Sequence, residues 1–316
     1  MIVTLTLNPA LDKTARIETL RINALNRLSD VSLDAGGKGI NVSSMIQSLG
    51  GESIAVGFAG GKSGEELLSM LDSKGLKHDF VRINESTRTN LKIVDFSGSL
   101  TEFNERGPNV TTENWQNLES KLFSYARQDT FFVLSGSLCP GLEKDTYKKL
   151  CGKLREKGAK VFLDVDGEAL KLALEGSINE IPHYVKPNQY ELLSLKDITD
   201  NKSISDSLLL EFANSLLGKG LELCVVSLGE KGALFVNKKG AWRALGLKVK
   251  VMSTVGAGDS MVGALVYGLE KNLTLEETFA FSVAASSASC TTKGTQFPDR
   301  NLVEKFLKEV RLEKIA

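Results

Sequence analysis

Segments with strand-like and helix-like patterns alternate along most of the chain, and this alternation constrains the fold more than any other feature. Short apolar runs such as 2–7 and 131–135 indicate buried strands, whereas helical periodicity places apolar residues on one face of 39–49 and 144–157. Because a helix usually connects two parallel strands, the pattern predicts a mostly parallel sheet with helices on both faces. The other predicted elements are strands at 53–58, 160–164 and 223–226 and helices at 64–73, 112–126, 205–218 and 299–310.

Two regions interrupt this alternation. Residues 12–34 contain short polar strand-like pieces, and 87–106 have the pattern of a hairpin with its turn at 97–99. Neither region has a helix between its pieces, so we expect a small β layer that covers a site at the carboxyl edge of the main sheet. The chain 1–316 is expected to form one domain with this layer, about 12–34 and 87–106, as its lid. Exposed β edges invite pairing, so the pattern is compatible with a homodimer through the lid strands.

The charge balance and the cysteine content narrow the range of partners. The 39 Lys and Arg residues equal the 39 Asp and Glu residues, so nothing indicates a surface for nucleic acid or an anionic membrane. No apolar run approaches the roughly 18 residues of a membrane span, and the first residues lack a signal-peptide pattern. Four cysteines without a CxxC pair fit the reduced thiols of a cytoplasmic protein. Two histidines argue against a Ser-His-Asp hydrolase or a His-rich zinc site.

The run 254–259 carries the strongest chemical signal. Gly256 and Gly258 flank Ala257, Asp259 follows at once, and an amphipathic helix begins there. Free N–H groups at a helix start can bind an anion, and the adjacent carboxylate could accept a proton. An anion site beside a base is what phosphoryl transfer to a hydroxyl requires. An ordinary tight connection into a helix with an acidic first turn would have the same sequence.

A second glycine-rich segment, 35–41, precedes the first predicted helix. Its glycines, Gly37 among them, let the backbone approach a ligand closely. Lys38 can meet a phosphate, and Asn41 offers both a donor and an acceptor to a sugar hydroxyl. A flexible entry into a helix explains the segment equally well. The superficially similar run 57–63 is not a P-loop, because Val stands at 56 where that motif needs its first glycine.

Polar residues follow two later strands of the predicted sheet. Asn188 and Glu191 are three residues apart and would face one side of a helical turn, where oxygen ligands suit Mg²⁺ through its waters. Ser227, with Gly229 and Gly232 nearby, could contact nucleotide phosphates through hydroxyl and N–H groups. An ordinary helix N-terminus remains the alternative for the first segment, and a plain hairpin turn for the second.

In this order, the segments resemble those of the ribokinase-like (PfkB) carbohydrate kinases over essentially the whole chain. Residues 35–41 and 253–263 are similar to the two signature segments of that family. The likeness is closer to its branch of 1-phosphofructokinases and tagatose-6-phosphate kinases in 4–12, 25–27, 87–92 and 135–137. The resemblance implies a ribokinase-like three-layer α/β/α domain with a mostly parallel central sheet and a small β-sheet lid.

The resemblance also implies a reaction: ATP-dependent phosphorylation of D-fructose 1-phosphate to fructose 1,6-bisphosphate, with Mg²⁺. Residues 88–92 and 101–108 favour fructose 1-phosphate, and tagatose 6-phosphate is the alternative substrate. A sugar-phosphate sensor without catalysis is disfavoured because Asp259 and the glycines beside it are all present.

Residue roles follow from the same resemblance. Asp259 is the implied general base, and the N–H groups of Gly256, Ala257 and Gly258 would hold the γ-phosphoryl oxygens. The implied substrate-binding residues are Asp12, Arg27, Gly37, Lys38, Asn41, Arg88, Asn90, Arg106 and Ser137. The implied ATP-binding residues are Lys186, Asn188, Glu191, Ser227, Gly229, Gly232 and Gly258, with Asn188 and Glu191 holding Mg²⁺ through water. Adenine is expected to border 284–294.

Overall fold

A computed structural model describes residues 1–196, 198, 204–292 and 296–316. Its strands are β1 (Ile2–Thr6), β2 (Ala10–Ile17), β3 (Ser29–Gly36), β4 (Ser53–Gly60), β5 (Val81–Ile83), β6 (Arg88–Asp95), β7 (Leu100–Asn104), β8 (Phe131–Ser135), β9 (Lys160–Asp164), β10 (Tyr184–Val185), β11 (Leu223–Ser227), β12 (Gly232–Asn237), β13 (Gly240–Leu245) and β14 (Leu312–Lys314). Its helices are α1 (Lys38–Ser48), α2 (Gly61–Ser73), α3 (Thr112–Tyr125), α4 (Thr146–Glu156), α5 (Gly167–Ala173), α6 (Gln189–Ser194), α7 (Asp206–Gly218), α8 (Ala257–Glu270), α9 (Leu275–Ser289) and α10 (Arg300–Leu307).

The central sheet is mostly parallel, as the alternation of strands and helices predicts. Its strand order is β5-β4-β1-β8-β9-β10-β11-β12-β13-β14. Neighbours from β5 to β11 pair in parallel, whereas β11 to β14 pair antiparallel. The pairs β11–β12 and β12–β13 depart from the alternation because no α-helix separates these strands, so the chain returns as hairpins. β14 joins the same edge only after α8, α9 and α10.

Helices cover both faces of this sheet. In β8, Phe132 and Leu134 pack into an apolar core with α3, α4 and α7, and Val133 between them packs into a second core with α1, α8 and α9. Alternate residues of one strand point to opposite faces, and burying each such side chain contributes about 1.5–3 kcal/mol. The predicted three-layer α/β/α arrangement is therefore confirmed. Of the described helices, none combines the length and apolar character that crossing a bilayer requires.

A separate four-stranded sheet has the order β3-β2-β6-β7. Its strands β2 and β6 pair in parallel, and β3 and β7 flank them antiparallel. These strands lie in or next to 12–34 and 87–106, and we keep their role as a lid as a proposal. Leu11 and Ala35 of this small sheet pack with Leu67 and Leu71 of α2, which anchors the sheet to the main body.

The segments singled out in the sequence begin at one edge of the central sheet. β9 ends at Asp164, β11 ends at Ser227, and Lys186 follows β10 directly. The small sheet joins the same edge, because β2 follows the end of β1 after three residues and β3 leads into α1 through Gly37. In open parallel sheets, ligands bind outside the carboxyl ends of the strands.

Candidate active site

The turn before α8 presents free N–H groups. Gly256 has a φ of 79°, a left-handed conformation that favours glycine, and α8 begins at the next residue. Within the part of the chain that the structure describes, the amides of Gly256 and Gly258 have no hydrogen-bond partner, and the Ala257 amide donates to the Thr254 carbonyl at 3.3 Å. Two of the three predicted anion-binding amides are therefore fully available at a helix N-terminus.

Asp259 is a buried carboxylate in the first turn of α8, with 8% of the residue exposed. The side-chain amide of Asn41 donates a 2.7 Å hydrogen bond to its Oδ2. The pKa of Asp259 is raised to about 6: burial is the main cause and the nearby Asp164 adds to it, and together they outweigh the Asn41 hydrogen bond and the cations of Lys38 and Lys186, which lower the pKa. A pKa near the operating pH is what a general base needs.

Asp164 joins two lysines that the sequence assigned to different ligands. Its Oδ1 lies 3.3 Å from the Nζ of Lys186 and 3.7 Å from the Nζ of Lys38, and its side chain is 2% exposed. Burial by itself would raise the pKa of Asp164, but the two ammonium groups outweigh it and lower that pKa. The same contact raises the pKa of Lys38. Sequence reasoning missed Asp164, although its place at the end of a predicted parallel strand was a usable signal.

Lys186 lies directly against the turn before α8. A Cβ atom built on Gly258 would lie 3.4 Å from the Nζ of Lys186. This close approach adds a positive charge beside the free amides. The turn therefore offers an anion both N–H donors and a cation, which strengthens the predicted phosphoryl site.

The start of α1 brings the second glycine-rich segment to the same place. Gly37 has a φ of 132°, and a Cβ atom there would come within 2.6 Å of the Thr6 side chain. The Thr6 hydroxyl accepts a hydrogen bond from the Ile40 amide at 3.1 Å, so the helix starts against the end of β1. Lys38 and Asn41 then project from one side of the first turn. Residues 218 positions apart in the sequence, Asn41 and Asp259, meet as a result.

The small sheet carries a second group of polar side chains. Asp12 accepts hydrogen bonds from the Asn90 amide at 2.9 Å and from the Lys92 ammonium at 2.8 Å. The parallel register of β2 and β6 pairs Asp12 with Asn90, which explains the first contact. Lys92 is missing from the residues implied by the resemblance. The two-residue period of a strand, applied to Arg88 and Asn90, would have placed Lys92 on the same face.

Arg88 is held by backbone groups. Its guanidinium donates to the carbonyls of Asn8 at 3.0 Å and Glu105 at 3.1 Å, and its Nε has no partner in the described residues. The Asn8 amide donates in turn to the Arg106 carbonyl at 2.9 Å and contacts the Ser137 hydroxyl at 3.4 Å. Asn8, which follows β1, was also missed by sequence reasoning. It ties three predicted substrate-binding residues to the end of the central sheet.

Two predicted phosphate-binding arginines are exposed. Arg106 is exposed, and within the described residues its carbonyl, but not its guanidinium, has a hydrogen-bond partner. Arg27 is exposed in 18–28, the segment that joins β2 to β3, and the pair of β2 with β3 next to this segment is Arg16 with Ser29. Arg16 lies about 13 Å along the strand from Asp12, at roughly 3.3 Å per residue. Within one chain the structure therefore does not bring Arg27 to Asp12.

The predicted ATP-side residues Asn188 and Glu191 form a capping box at the start of α6. The Asn188 side chain accepts from the amides of Tyr190 and Glu191, and the Glu191 carboxylate accepts from the Asn188 amide at 2.8 Å. Ser227 is adjacent, since its amide donates to the Pro187 carbonyl at 3.0 Å. The alternative of an ordinary helix N-terminus thus describes what these side chains do within the described residues.

The segment after β11 is a hairpin turn, as the other alternative stated. Gly229 opens a short 3₁₀ turn, and Gly232 is buried in β12. A Cβ atom on Gly232 would lie 2.2 Å from the Ala244 carbonyl oxygen, so strand packing explains this glycine without a nucleotide. Of the region expected to border adenine, 284–289 form the end of α9, 290–292 follow it, and 293 and 294 lie outside the described residues.

The donor set at this edge fits magnesium only through water. Among the described residues, no group of three or more His, Cys, Asp or Glu side chains could hold a metal directly. The side-chain oxygen of Asn188 already accepts two hydrogen bonds, while Glu191 uses one carboxylate oxygen and keeps the other. Mg²⁺ retains several waters and accepts such an indirect carboxylate contact.

Known proteins share the fold and match this chain over its full length. The chain is 36% identical to the 1-phosphofructokinase of Borreliella burgdorferi, over 100% of this chain and 99% of that protein. It is 33% identical to the 1-phosphofructokinase of Bacillus subtilis over the full length of both. The crystal structure of phosphofructokinase-2 from Escherichia coli in complex with fructose-6-phosphate matches with a TM-score of 0.89 and 32% identity over 98% of each chain. Ribokinase from Thermotoga maritima has a TM-score of 0.77 at 22% identity and supports the fold alone.

Residues 5–301 match the sequence profile of the pfkB family carbohydrate kinases. The chain therefore belongs to the pfkB family of carbohydrate kinases, as the resemblance predicted.

Proposed function

We propose that this kinase transfers the γ-phosphoryl group of ATP to the 6-hydroxyl of D-fructose 1-phosphate. One observation carries the proposal: the buried carboxylate of Asp259 follows two amides that have no hydrogen-bond partner in the described residues, and the cations of Lys38 and Lys186 both act on its charge. The relatives named 1-phosphofructokinase, which align over the full length, support this substrate.

In the proposed transfer, Asp259 accepts the proton of the 6-hydroxyl as that oxygen attacks the γ-phosphorus. A new oxygen–phosphorus bond forms, the bond to the β–γ bridging oxygen breaks, and ADP leaves. The amides of Gly256 and Gly258 stabilise the charge on the γ-phosphoryl oxygens, helped by Lys186. A positioned base contributes on the order of 10²–10⁴-fold, and one preorganised donor about 3–4 kcal/mol.

On the sugar side, we assign recognition of hydroxyl groups to Asp12, Asn41 and Asn90. Lys38 and Arg88 would bind the phosphate that the substrate already carries, since ammonium and guanidinium groups form charge-assisted hydrogen bonds with phosphate. Arg106 and Ser137 would complete this part of the site when the small sheet closes, which would also exclude water.

On the ATP side, we assign the phosphates to Lys186, Ser227 and Gly229. Asn188 and Glu191 would hold Mg²⁺ through its waters. When bound, the ion would neutralise charge on the ATP phosphates.

We further propose a homodimer that forms through the small sheet. Apolar side chains stand exposed on its strands and loops: Ile22, Leu25, Val31, Phe96 and Phe103 are 52–78% exposed. Large exposed apolar patches mark contact surfaces, and this sheet also has two edge strands. Arg27 lies in the same region and would stand at the interface. Light scattering should give twice the chain mass, and Phe103→Glu should lower it to one chain; a monomeric parent protein would refute the proposal.

A cytoplasmic location is also proposed. The four cysteines are free thiols, and three of them are buried. Unpaired cysteines are typical of reducing compartments.

A substrate panel tests the proposed function. We expect the highest kcat/KM with fructose 1-phosphate and ATP, with fructose 1,6-bisphosphate as the product. Fructose 6-phosphate is a rival because it is the ligand in the Escherichia coli phosphofructokinase-2 structure, and tagatose 6-phosphate is the other. A higher kcat/KM with either rival would overturn the substrate assignment, and binding without turnover of any of the three would indicate a sensor.

A further inference from the structure

The contact between Asn41 and Asp259 is not the one that the sequence predicts for Asn41. The resemblance implies a sugar-binding amide, yet its Nδ2 donates to Asp259 Oδ2 at 2.7 Å. Both residues are buried, with 7% and 8% of their surface exposed. An ionised carboxylate only accepts hydrogen bonds, so the amide must turn its NH₂ group toward Asp259.

We propose that Asn41 is a positioning residue for the base. Its side-chain amide occupies Oδ2 of Asp259 and leaves Oδ1 to take the proton of the substrate hydroxyl. The inference rests on the proposed role of Asp259 and adds which oxygen acts and what holds it. Without this contact the carboxylate could rotate and would have to meet the substrate in several orientations.

The backbone around Asn41 makes its side chain a rigid donor. The backbone N–H of Asn41 donates to the Gly37 carbonyl at 2.9 Å, and the backbone N–H of the neighbouring Ile40 donates to the Thr6 hydroxyl. On the other side, α8 packs closely along α1, since a Cβ atom at Gly263 would lie 2.9 Å from the Met45 Cβ. The two helices therefore fix the donor and the acceptor relative to each other.

The charges around Asp259 define what the loss of Asn41 would do. Asp164 faces it from β9, Lys38 from α1, and Lys186 from the segment after β10. Burial and Asp164 raise the pKa of Asp259, while the Asn41 hydrogen bond and the two lysines lower it. Removing the Asn41 amide takes away a donor that stabilises the ionised carboxylate, so the pKa of Asp259 should rise further. A larger fraction of the base would then be protonated at neutral pH.

The test is the acid limb of kcat/KM for fructose 1-phosphate against pH, compared between the parent and Asn41 variants. Asn41→Ala should move the limb upward by about 1–2 pH units, the loss of one hydrogen bond to a charged group. Asn41→Asp should move it further, because two adjacent carboxylates share one proton. Above the new limb kcat/KM should level off, at a value lowered by the loss of the proposed contact between Asn41 and the sugar hydroxyls. The ionisation of the substrate is common to all variants and does not contribute to the difference.

Two controls separate this inference from a general loss of structure. Ser43 lies on the same helix as Asn41, and Ser43→Ala removes its buried hydrogen bonds with Thr4 and Ser53. This variant should lower stability without moving the acid limb. Asn41→Asp is nearly isosteric with the parent and decides the matter alone if Asn41→Ala does not fold. A limb at the parent position in Asn41→Asp overturns the role of Asn41. Near-normal turnover in Asp259→Asn would instead overturn the proposed base itself.

Discussion

The charged side chains at the edge of the central sheet and those of the small sheet differ in the partners that hold them. On the central sheet, Asp164 contacts Lys38 and Lys186, and Asp259 contacts Asn41, so each charge has a side-chain partner. We call these five residues the central cluster. On the small sheet, Asp12 has side-chain partners, but Arg88 is held by backbone carbonyls, and Arg27 and Arg106 are exposed.

This difference follows from the elements that carry the residues. The central cluster is built on the ends of buried parallel strands and the starts of α1 and α8, which pack against each other in the core. The small sheet has exposed strands and two free edges, and such elements open at lower free energy than a packed core. Under the proposed function, the groups of the central cluster would be positioned before substrate binds, and substrate binding would order the arginines of the small sheet.

The largest effect on stability is expected from Asp164→Asn. This change leaves the two lysines of the central cluster without their shared carboxylate, one of them almost fully buried. Breaking a buried ion pair from one side costs about 3–5 kcal/mol, so the free energy of unfolding in urea should fall by that amount. Glu52→Gln breaks the exposed pair with Lys77 and is the matched control, with no measurable change expected. Equal effects of the two variants would remove the contrast between buried and exposed charges.

A stabilising effect is expected from Asp259→Asn. The pKa of this carboxyl is about 6 in the folded protein against an ordinary value of 3.8, so the folded state binds the proton more tightly. Stability is therefore lost as the pH rises from about 4 to about 6, by at most about 3 kcal/mol. The variant should unfold at higher urea than the parent at pH 8, and the gain should shrink toward pH 5. A variant less stable than the parent at pH 8 would contradict the account that the ionised carboxylate of Asp259 destabilises the folded protein.

Lys38→Ala should act on sugar binding. One charge-assisted contact to phosphate contributes about 1.5–3 kcal/mol, so the KM for fructose 1-phosphate should rise on the order of 10- to 100-fold, with little change in the KM for ATP. The control is Lys13→Ala. Lys13 follows Asp12 in β2, so its side chain lies on the opposite face of that strand. An unchanged sugar KM in Lys38→Ala would show that Lys38 serves only the central cluster.

Lys92→Met should have the smallest effect of the series. The variant keeps the length of the side chain and removes the cation from Asp12, which retains its hydrogen bond from Asn90. We expect the sugar KM to rise about 5- to 10-fold, the equivalent of roughly 1 kcal/mol. If kcat fell while the sugar KM stayed constant, the small sheet would take part in the transfer step itself.

Local patterns predicted much of the fold. The strands β1, β8 and β9 and the helices α1 and α8 follow from apolar periodicity and glycine positions, so the parallel sheet and the edge that carries the site could be predicted. The antiparallel strands β12 and β13 were not among the predicted elements, although the alternative of a hairpin turn after β11 implied a strand at β12. β14 pairs with β13 across many residues of sequence.

The site was less accessible to sequence reasoning where it depends on distant pairing. Asp164 and Asn41 gain their roles from partners that lie far away in the sequence and meet them only in the folded sheet. Lys92 was within reach of strand alternation and was missed. Asn188 and Glu191 show the opposite case, since one local pattern fits both the capping box that the structure shows and an indirect metal site that stays a prediction.

Turnover of Asp259→Asn tests the central assignment most directly. The measurement is kcat with fructose 1-phosphate and ATP, together with the Kd for fructose 1-phosphate by calorimetry. The account predicts that kcat falls by about 10²–10⁴-fold while sugar-phosphate binding is largely retained, because the carboxylate accepts the hydroxyl proton during the transfer step. Near-normal kcat in this variant would contradict the assignment of Asp259 as the base.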